Sequence, residues 1–432
     1  MATVVQPAHR PLPAPRTAVP RLLGPQYYSA VMGTGILGTA GAGLDPHGAV
    51  PGLGTVCTAL WALALLTLAV LLAARTAQWA RRPGRTREQL LDPAVAPFQG
   101  CLAMALTSVG GGALVVGREW LGAGPAVALG TVLWTAGTVT GLVVAVGVPY
   151  LLVVRHHMEG PSPVWLLPVV APMVSAATGP LLAPHVPGGQ ARGALLAACH
   201  GMFGMSLLAA LLILPPVFAR LVTAGPPPAA ATPALLLVLG PLGQSATAAA
   251  ALAGAAPEVP YGRGLAVAYG LPVLGFALLW LALAGALVVR ARRRGMGFTL
   301  SWWAFTFPVG TCVTGLEGMA QLTGLVVLDG AAAALYALLV AGWLAAASGT
   351  VRALLGAAPT GPVSGGTPPA AGAGRAPAPP AGGTPAPPAG GTPAPPAGGT
   401  LAPASAPGVS GPPRPGPGPA PAAPGPAKAR TR

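Results

Sequence analysis

Apolar segments of about 20 residues, the length that a helix needs to cross a membrane, follow one another from residue 26 to residue 352. Short stretches that are polar or rich in proline and glycine separate them. The pattern predicts an all-α polytopic membrane protein with ten transmembrane helices, numbered here as spans one to ten. They cover about residues 26–44, 52–74, 97–117, 123–153, 163–184, 193–217, 233–254, 264–289, 299–323 and 329–352.

The two ends of the chain have a different pattern. Residues 1–25 form a polar arm with prolines and arginines, and residues 353–432 are rich in Pro, Ala and Gly. In this second region the octad Pro377–Thr384 is repeated twice more. Such a repeat has no large apolar side chain to bury, so it cannot offset the entropy cost of folding. We therefore predict a cytoplasmic arm (1–25), a transmembrane domain (26–352) and a disordered cytoplasmic tail (353–432).

Composition and charge exclude a soluble protein. Hydrophobic residues make up 53% of the chain and charged residues 7%, whereas a soluble domain carries roughly a quarter charged residues. The net charge of +15 comes mostly from the arm, the tail and the loops that follow even-numbered spans. The loops that follow odd-numbered spans contain Arg118, Arg192 and Arg263. By the positive-inside rule both termini are cytoplasmic, in a plasma membrane, and nucleic acid is not an expected partner.

Proline and glycine are concentrated in the middle of the odd-numbered spans. Proline frees a backbone carbonyl, which is tolerated in a membrane only where protein or water satisfies it. Broken helices therefore belong around a cavity, and we predict a central pore lined by the odd-numbered spans. An alternative interpretation is that the glycines allow neighbouring helices to pack closely. The residues assigned to pore lining and kinks are Gly33, Gly35, Gly110, Pro168, Pro172, Pro241 and Pro308.

Two ionisable residues lie well inside predicted spans: Glu317 in span nine and His200 in span six. A carboxylate at this depth is costly unless it is paired or protonated. Glu317 is therefore either hydrogen-bonded to a neighbouring helix, with His200 as one partner, or Glu317 and His200 form a proton or pH site. The spacing of the four cysteines predicts no metal site, and no cofactor is expected.

The start of span nine is the most aromatic stretch of the chain. Trp302 and Trp303 are typical of the interfacial aromatic belt of a membrane protein. Phe307 lies deeper, directly before Pro308, where an aromatic ring can close a narrow pore. We assign the pore gate to Phe307, with Phe305 as second choice.

At this stretch the sequence resembles the tellurite-resistance/dicarboxylate transporter family, which includes plant slow-type anion channels and yeast malate and sulfite transporters. The resemblance covers about residues 25–352. It rests on Phe305–Pro308 after the tandem Trp, Val31–Gly35, Trp165–Gly179, His200–Gly201 and Gly240–Ser245. It implies five helical hairpins around a pore, a homotrimer with one pore per subunit, and the family's gating phenylalanine at Phe307. Glu317 matches no motif of the family.

The sequence therefore predicts transport of small anions, such as a C4-dicarboxylate, sulfite, a tellurite-type oxyanion or a halide. One alternative is a proton-coupled carrier of a monoanionic acid or a sulfite efflux pump. A non-transporting scaffold that presents the repeat tail is an alternative from another class. Enzymatic activity is not expected, because the spans lack the paired carboxylates or Ser/His pairs that intramembrane chemistry needs.

Overall fold

The computed structural model describes residues 24–45, 48, 50–155 and 160–356. The predicted arm and tail lie almost entirely outside these residues, so both stay predictions. All regular structure in the described part is helical. The α-helices are α1 (Tyr28–Leu44), α2 (Leu53–Arg81), α3 (Pro83–Leu91), α4 (Gln99–Val115), α5 (Arg118–Leu121), α6 (Ala123–Arg155), α7 (Leu166–Thr178), α8 (Gln190–Ala224), α9 (Leu239–Ala255), α10 (Gly262–Arg293), α11 (Phe307–Thr323) and α12 (Val326–Gly356).

Ten of these helices correspond to the predicted spans. Spans one, three, five, seven and nine are α1, α4, α7, α9 and α11, and the even-numbered spans are α2, α6, α8, α10 and α12. Eight of them, counted together with any adjoining 3-10 helix, are long and apolar enough to cross a membrane. The two others, α1 and α11, are 17 residues long. The all-α polytopic fold is confirmed, whereas the count of ten membrane crossings stays a prediction.

The odd-numbered spans form an inner ring. Each of α1, α4, α7, α9 and α11 packs against the next of them, and α11 packs against α1, so the ring is closed. Each also packs against the even-numbered span that follows it, which gives the five predicted hairpins. Over an 18-residue apolar stretch of each span, 78–89% of the residues are buried in spans three, five and seven, against 22–28% in the even-numbered spans. The even-numbered spans therefore present apolar faces outward, as helices in contact with lipid do.

Among the described residues, five short 3-10 helices each lead directly into an inner helix, and a sixth, Gly179–His185, follows the C-terminal end of α7. Proline fixes φ near the helical value and lacks the N–H that the first turn cannot bond, so it suits this junction. Pro168, Pro241 and Pro308 all lie in the first turn of their α-helix. The five 3-10 helices that lead into inner helices are Pro25–Tyr27, Ala96–Phe98, Pro163–Trp165, Ala229–Val238 and Leu300–Phe305.

The prediction of glycine breaks in spans one and three is wrong. Helix α1 continues through Gly33 and Gly35, and α4 continues through Gly110. These glycines allow close approach instead, because a side chain at Gly33 would collide with Thr306 and one at Gly110 would meet Leu133. The alternative interpretation of the glycines as packing positions is therefore the correct one.

Some helix boundaries also differ from the prediction. Helix α2 continues to Arg81 rather than ending near residue 74, and α3 occupies the predicted loop that follows it. Arginine carries a long apolar stem that can lie along a helix while its charge reaches the membrane surface, so it does not end the helix. The overlong fourth span is a single helix of 33 residues that contains Pro149.

Candidate functional site

Two cavities lie inside the ring. The N-side cavity, of about 340 Å³, is lined by the first turns of the inner helices and by the 3-10 helices before them. The C-side cavity, of about 420 Å³, is lined by the C-terminal halves of the same five helices. The inner helices therefore run in one direction around a common interior, with one cavity at each end.

Phe307 is the one residue that lines both cavities. It is the first residue of α11, and its exposed fraction is only 4%. Phe305 lines neither cavity, and its ring packs 5.4 Å from that of Trp302 while its backbone contacts Gly342. A buried aromatic ring between two cavities is a hydrophobic barrier to ions.

The backbone just before Phe307 is held on three sides. Thr306 is fully buried, and its hydroxyl donates to the carbonyl of Trp303 at 2.7 Å. The indole Nε1 of Trp303 donates to Oγ1 of Thr350 on α12 at 3.0 Å. On the third side, Gly33 of α1 leaves only the space of a hydrogen atom next to Thr306. Residues distant in sequence thus fix the position of the Phe307 ring.

The C-side cavity contains polar groups that the protein itself does not use. Gln244 of α9 and Ser108 of α4 are buried and line it. Neither side chain forms a hydrogen bond with another residue of the described chain, so the amide N–H and hydroxyl groups are available to a bound anion. The hydroxyls of Thr247 and Thr314 also line the cavity and bond to each other at 2.8 Å.

Glu317 lies in the same cavity, on α11. Its exposed fraction is 8%, and its Oε1 is buried without a hydrogen-bond partner among the residues that the structure describes. On α1, Gly43 lies directly against the carboxyl group. An unpaired carboxylate in such surroundings costs several kcal/mol. The hydrogen bond between Glu317 and His200 is absent, because His200 is exposed on α8 and its Nδ1 is 2.8 Å from the Leu196 carbonyl oxygen.

Only some of the residues predicted to line the pore lie at the two cavities. Pro241 and Pro308 line the N-side cavity. Neither cavity is lined by Gly33, Gly35, Gly110, Pro168 or Pro172. Gly110 faces α6 rather than the interior, whereas its neighbours Gly111 and Gly112 line the C-side cavity.

Sequence reasoning missed Ser108, Gln244 and Arg263 as cavity residues. The available signal was a polar side chain in the C-terminal half of an odd-numbered span, which applies to Ser108 and Gln244. Arg263 belongs to α10, is exposed and lines the C-side cavity. From the sequence, Arg263 was used only as evidence for the membrane topology.

The arrangement suits the passage of small anions. Neutral donors, hydroxyls and helix ends bind an anion weakly, which permits rapid release. Among the described residues that line the two cavities, Arg263 is the one cation, and it lies in the C-side cavity. A positive charge there raises the local concentration of anions.

Comparison with known proteins agrees with this chemistry. The chain is 28% identical to the sulfite efflux pump SSU1 of Arthroderma otae over 325 residues, which is 71% of this chain and 84% of that protein. Its identity to SSU1 of Trichophyton rubrum is 28% over 317 residues, covering 69% and 81% of the two chains. An uncharacterized transporter of Methanocaldococcus jannaschii is 24% identical over 321 residues, covering 74% and 91%.

The family profile described as "SLAC1: Voltage-dependent anion channel" matches residues 23–351. This range includes all ten helices of the inner and outer rings, except the last residues of α12. The members of this family are channels and transporters of anions. With its apolar outer helices, the protein is a multi-pass membrane protein, and it belongs to the SLAC1 voltage-dependent anion channel family.

Proposed function

We propose that this protein passes small anions, sulfite among them, through the two cavities, with Phe307 as the gate between them. The observation that carries the proposal is that Phe307 lines both cavities and is itself buried. Sulfite is proposed because two of the similar fungal proteins are sulfite efflux pumps. C4-dicarboxylates, tellurite-type oxyanions and halides remain in the same proposal as small anions that neutral donors accommodate.

The proposed orientation places the N-side cavity on the cytoplasmic side of a plasma membrane. It rests on the excess of basic residues in the loops after even-numbered spans, including the cluster Arg290–Arg294 at the end of α10. Both termini are then cytoplasmic. We also propose the homotrimer that the resemblance implies, with one path in each subunit. The mass of the purified complex tests the trimer against the chain mass of 42.2 kDa.

Flux measurements in proteoliposomes test the gate. The panel is malate, sulfite, tellurite, chloride and nitrate, with the wild-type protein and the variants Phe307→Ala and Phe305→Ala. Removal of the ring at Phe307 should raise the flux of every anion that the wild-type protein passes, because the barrier between the cavities is lost. Phe305→Ala is the matched control, since Phe305 precedes the same helix but lines neither cavity. Unchanged or smaller flux in Phe307→Ala would contradict the gate assignment.

A proton-coupled carrier is the second candidate, and the buried carboxyl of Glu317 favours it. A carrier of this kind would accumulate sulfite against its gradient when only a pH gradient is imposed. A channel would move sulfite only down its electrochemical gradient. Uphill movement in the same liposomes therefore separates the two candidates.

A further inference from the structure

We infer that Glu317 binds a proton in the C-side cavity, and that only the protonated form admits a monovalent anion there. The inference rests on the proposed anion path. It adds a regulatory residue to that path and names its substrate class, monovalent anions such as nitrate, chloride and hydrogensulfite.

Glu317 is placed where an anion must pass. It lies ten residues after Phe307 on α11, which is about 15 Å along the helix axis. Its side chain lines the C-side cavity, and Oε1 is buried without a hydrogen-bond partner in the described part of the chain. An anion that moves between Phe307 and the C-side opening therefore passes close to this carboxyl group.

The groups around Glu317 do not neutralise it. The charged or titratable groups nearby are Arg263 of α10, Cys57 of α2, and Asp329 and Tyr336 of α12, and Asp45 after α1 lies near Cys57. Arg263 is exposed and forms no ion pair with Glu317. Tyr336 donates its hydroxyl proton to the Leu37 carbonyl at 3.1 Å. The residues that α4, α7 and α9 contribute to the cavity are uncharged.

The charge on Glu317 decides what the cavity can hold. An ionised carboxylate would repel a second negative charge in a space of about 420 Å³ that is partly shielded from water. The protonated carboxyl is neutral and adds one O–H donor to those of Ser108 and Gln244. By thermodynamic linkage, a bound anion favours protonation of Glu317 by the same factor by which the proton favours the anion.

Nitrate and chloride flux at equal pH on both sides of the liposome membrane provides the test. These anions do not titrate between about pH 5 and about pH 8, so any pH dependence belongs to the protein. Wild-type flux should rise as the pH falls, by up to about tenfold per pH unit while Glu317 is mostly ionised. Glu317→Gln should give high flux without pH dependence, and Glu317→Asp should keep the dependence. Glu119→Gln is the control and should keep the wild-type profile, because Glu119 of α5 is exposed and lines neither cavity.

Proton uptake is a second measurement that needs no substitution at Glu317. Addition of nitrate to the weakly buffered, detergent-solubilised protein should raise the pH, because anion binding draws a proton onto the carboxyl group. Glu119→Gln should behave like the wild-type protein here as well. A pH-sensitive dye detects the change.

The outcomes separate this inference from the proposed function. Wild-type flux that is independent of pH, a Glu317→Gln variant that keeps the wild-type profile, or nitrate binding without proton uptake would each overturn the inference and leave the anion path intact. Wild-type protein that passes neither nitrate nor chloride at low pH would also overturn it, because a neutral cavity should admit them. Absence of flux for the whole anion panel would instead overturn the proposed function.

Discussion

Trp303 and Thr350 join the segment before the gate to the last helix: the indole Nε1 donates to the threonine Oγ1 at 3.0 Å. Thr350 in turn donates to the Ala346 carbonyl within α12. Trp303 is buried, so an indole N–H without this acceptor would lack a partner. The hydrogen bond therefore ties the position of the 3-10 helix Leu300–Phe305 to that of α12.

We predict that the two side chains are energetically coupled. Trp303→Phe and Thr350→Val should each lower the free energy of unfolding, and a double-mutant cycle should give a coupling of about 1 kcal/mol, the value of one hydrogen bond. Reversible unfolding in mixed micelles measures it. Ser348→Ala is the control, since the exposed Ser348 hydroxyl donates within α12. A coupling energy near zero would show that the hydrogen bond does not stabilise the segment.

Gly33 and Gly35 provide a second test, because they lie two residues apart on α1 but have different neighbours. A methyl group at Gly33 would overlap Thr306, whereas one at Gly35 would lie 3.3 Å from the mobile hydroxyl of Ser108. Gly33→Ala should therefore lower the free energy of unfolding by about 1–3 kcal/mol and alter anion flux through the displaced Phe307. Gly35→Ala should keep stability close to that of the wild-type protein. Equal effects of the two substitutions on thermal stability and flux would refute the assignment.

Gln244 should contribute to anion affinity. Its buried amide has no partner in the described chain, so an anion in the C-side cavity is the group that it can bond. A hydrogen bond to a charged group is worth about 1.5–3 kcal/mol, so Gln244→Ala should raise the half-saturating anion concentration about tenfold or more. Concentration-dependent flux measures this, with Gln321→Ala as control because Gln321 lines the same cavity but is exposed. If both substitutions act equally, Gln244 has no special part in binding.

The inner and outer rings could be predicted because the membrane imposes strong local rules. Apolar length marks the spans, and prolines near the start of α7, α9 and α11 mark inner helices, although the outer helices α6, α8 and α10 also contain proline. The same reasoning selected Phe307 from its position directly before Pro308, and it found Glu317 as an ionisable residue in an apolar span.

The packing role of the glycines and the roles of the polar cavity residues depend on contacts between helices that are far apart in the chain. Whether Gly33 breaks a helix or permits close packing is decided by Thr306, which a local pattern does not include. The free amide of Gln244 is recognisable only once the cavity is known, since a polar residue in a span usually bonds to a neighbouring helix. For the same reason the sequence did not decide whether Glu317 forms a structural hydrogen bond or is a proton site.

The 3-10 helices before the inner ring also determine how much membrane thickness these helices can cover. A 17-residue α-helix such as α1 or α11 is about 26 Å long, which is shorter than a hydrocarbon layer of about 30 Å. A 3-10 helix rises about 2 Å per residue, so Pro25–Tyr27 adds about 6 Å to α1 and Leu300–Phe305 about 12 Å to α11. With these extensions both α1 and α11 reach the thickness of the hydrocarbon layer, so the change from 3-10 to α-helix lets a short α-helix contribute to a full crossing.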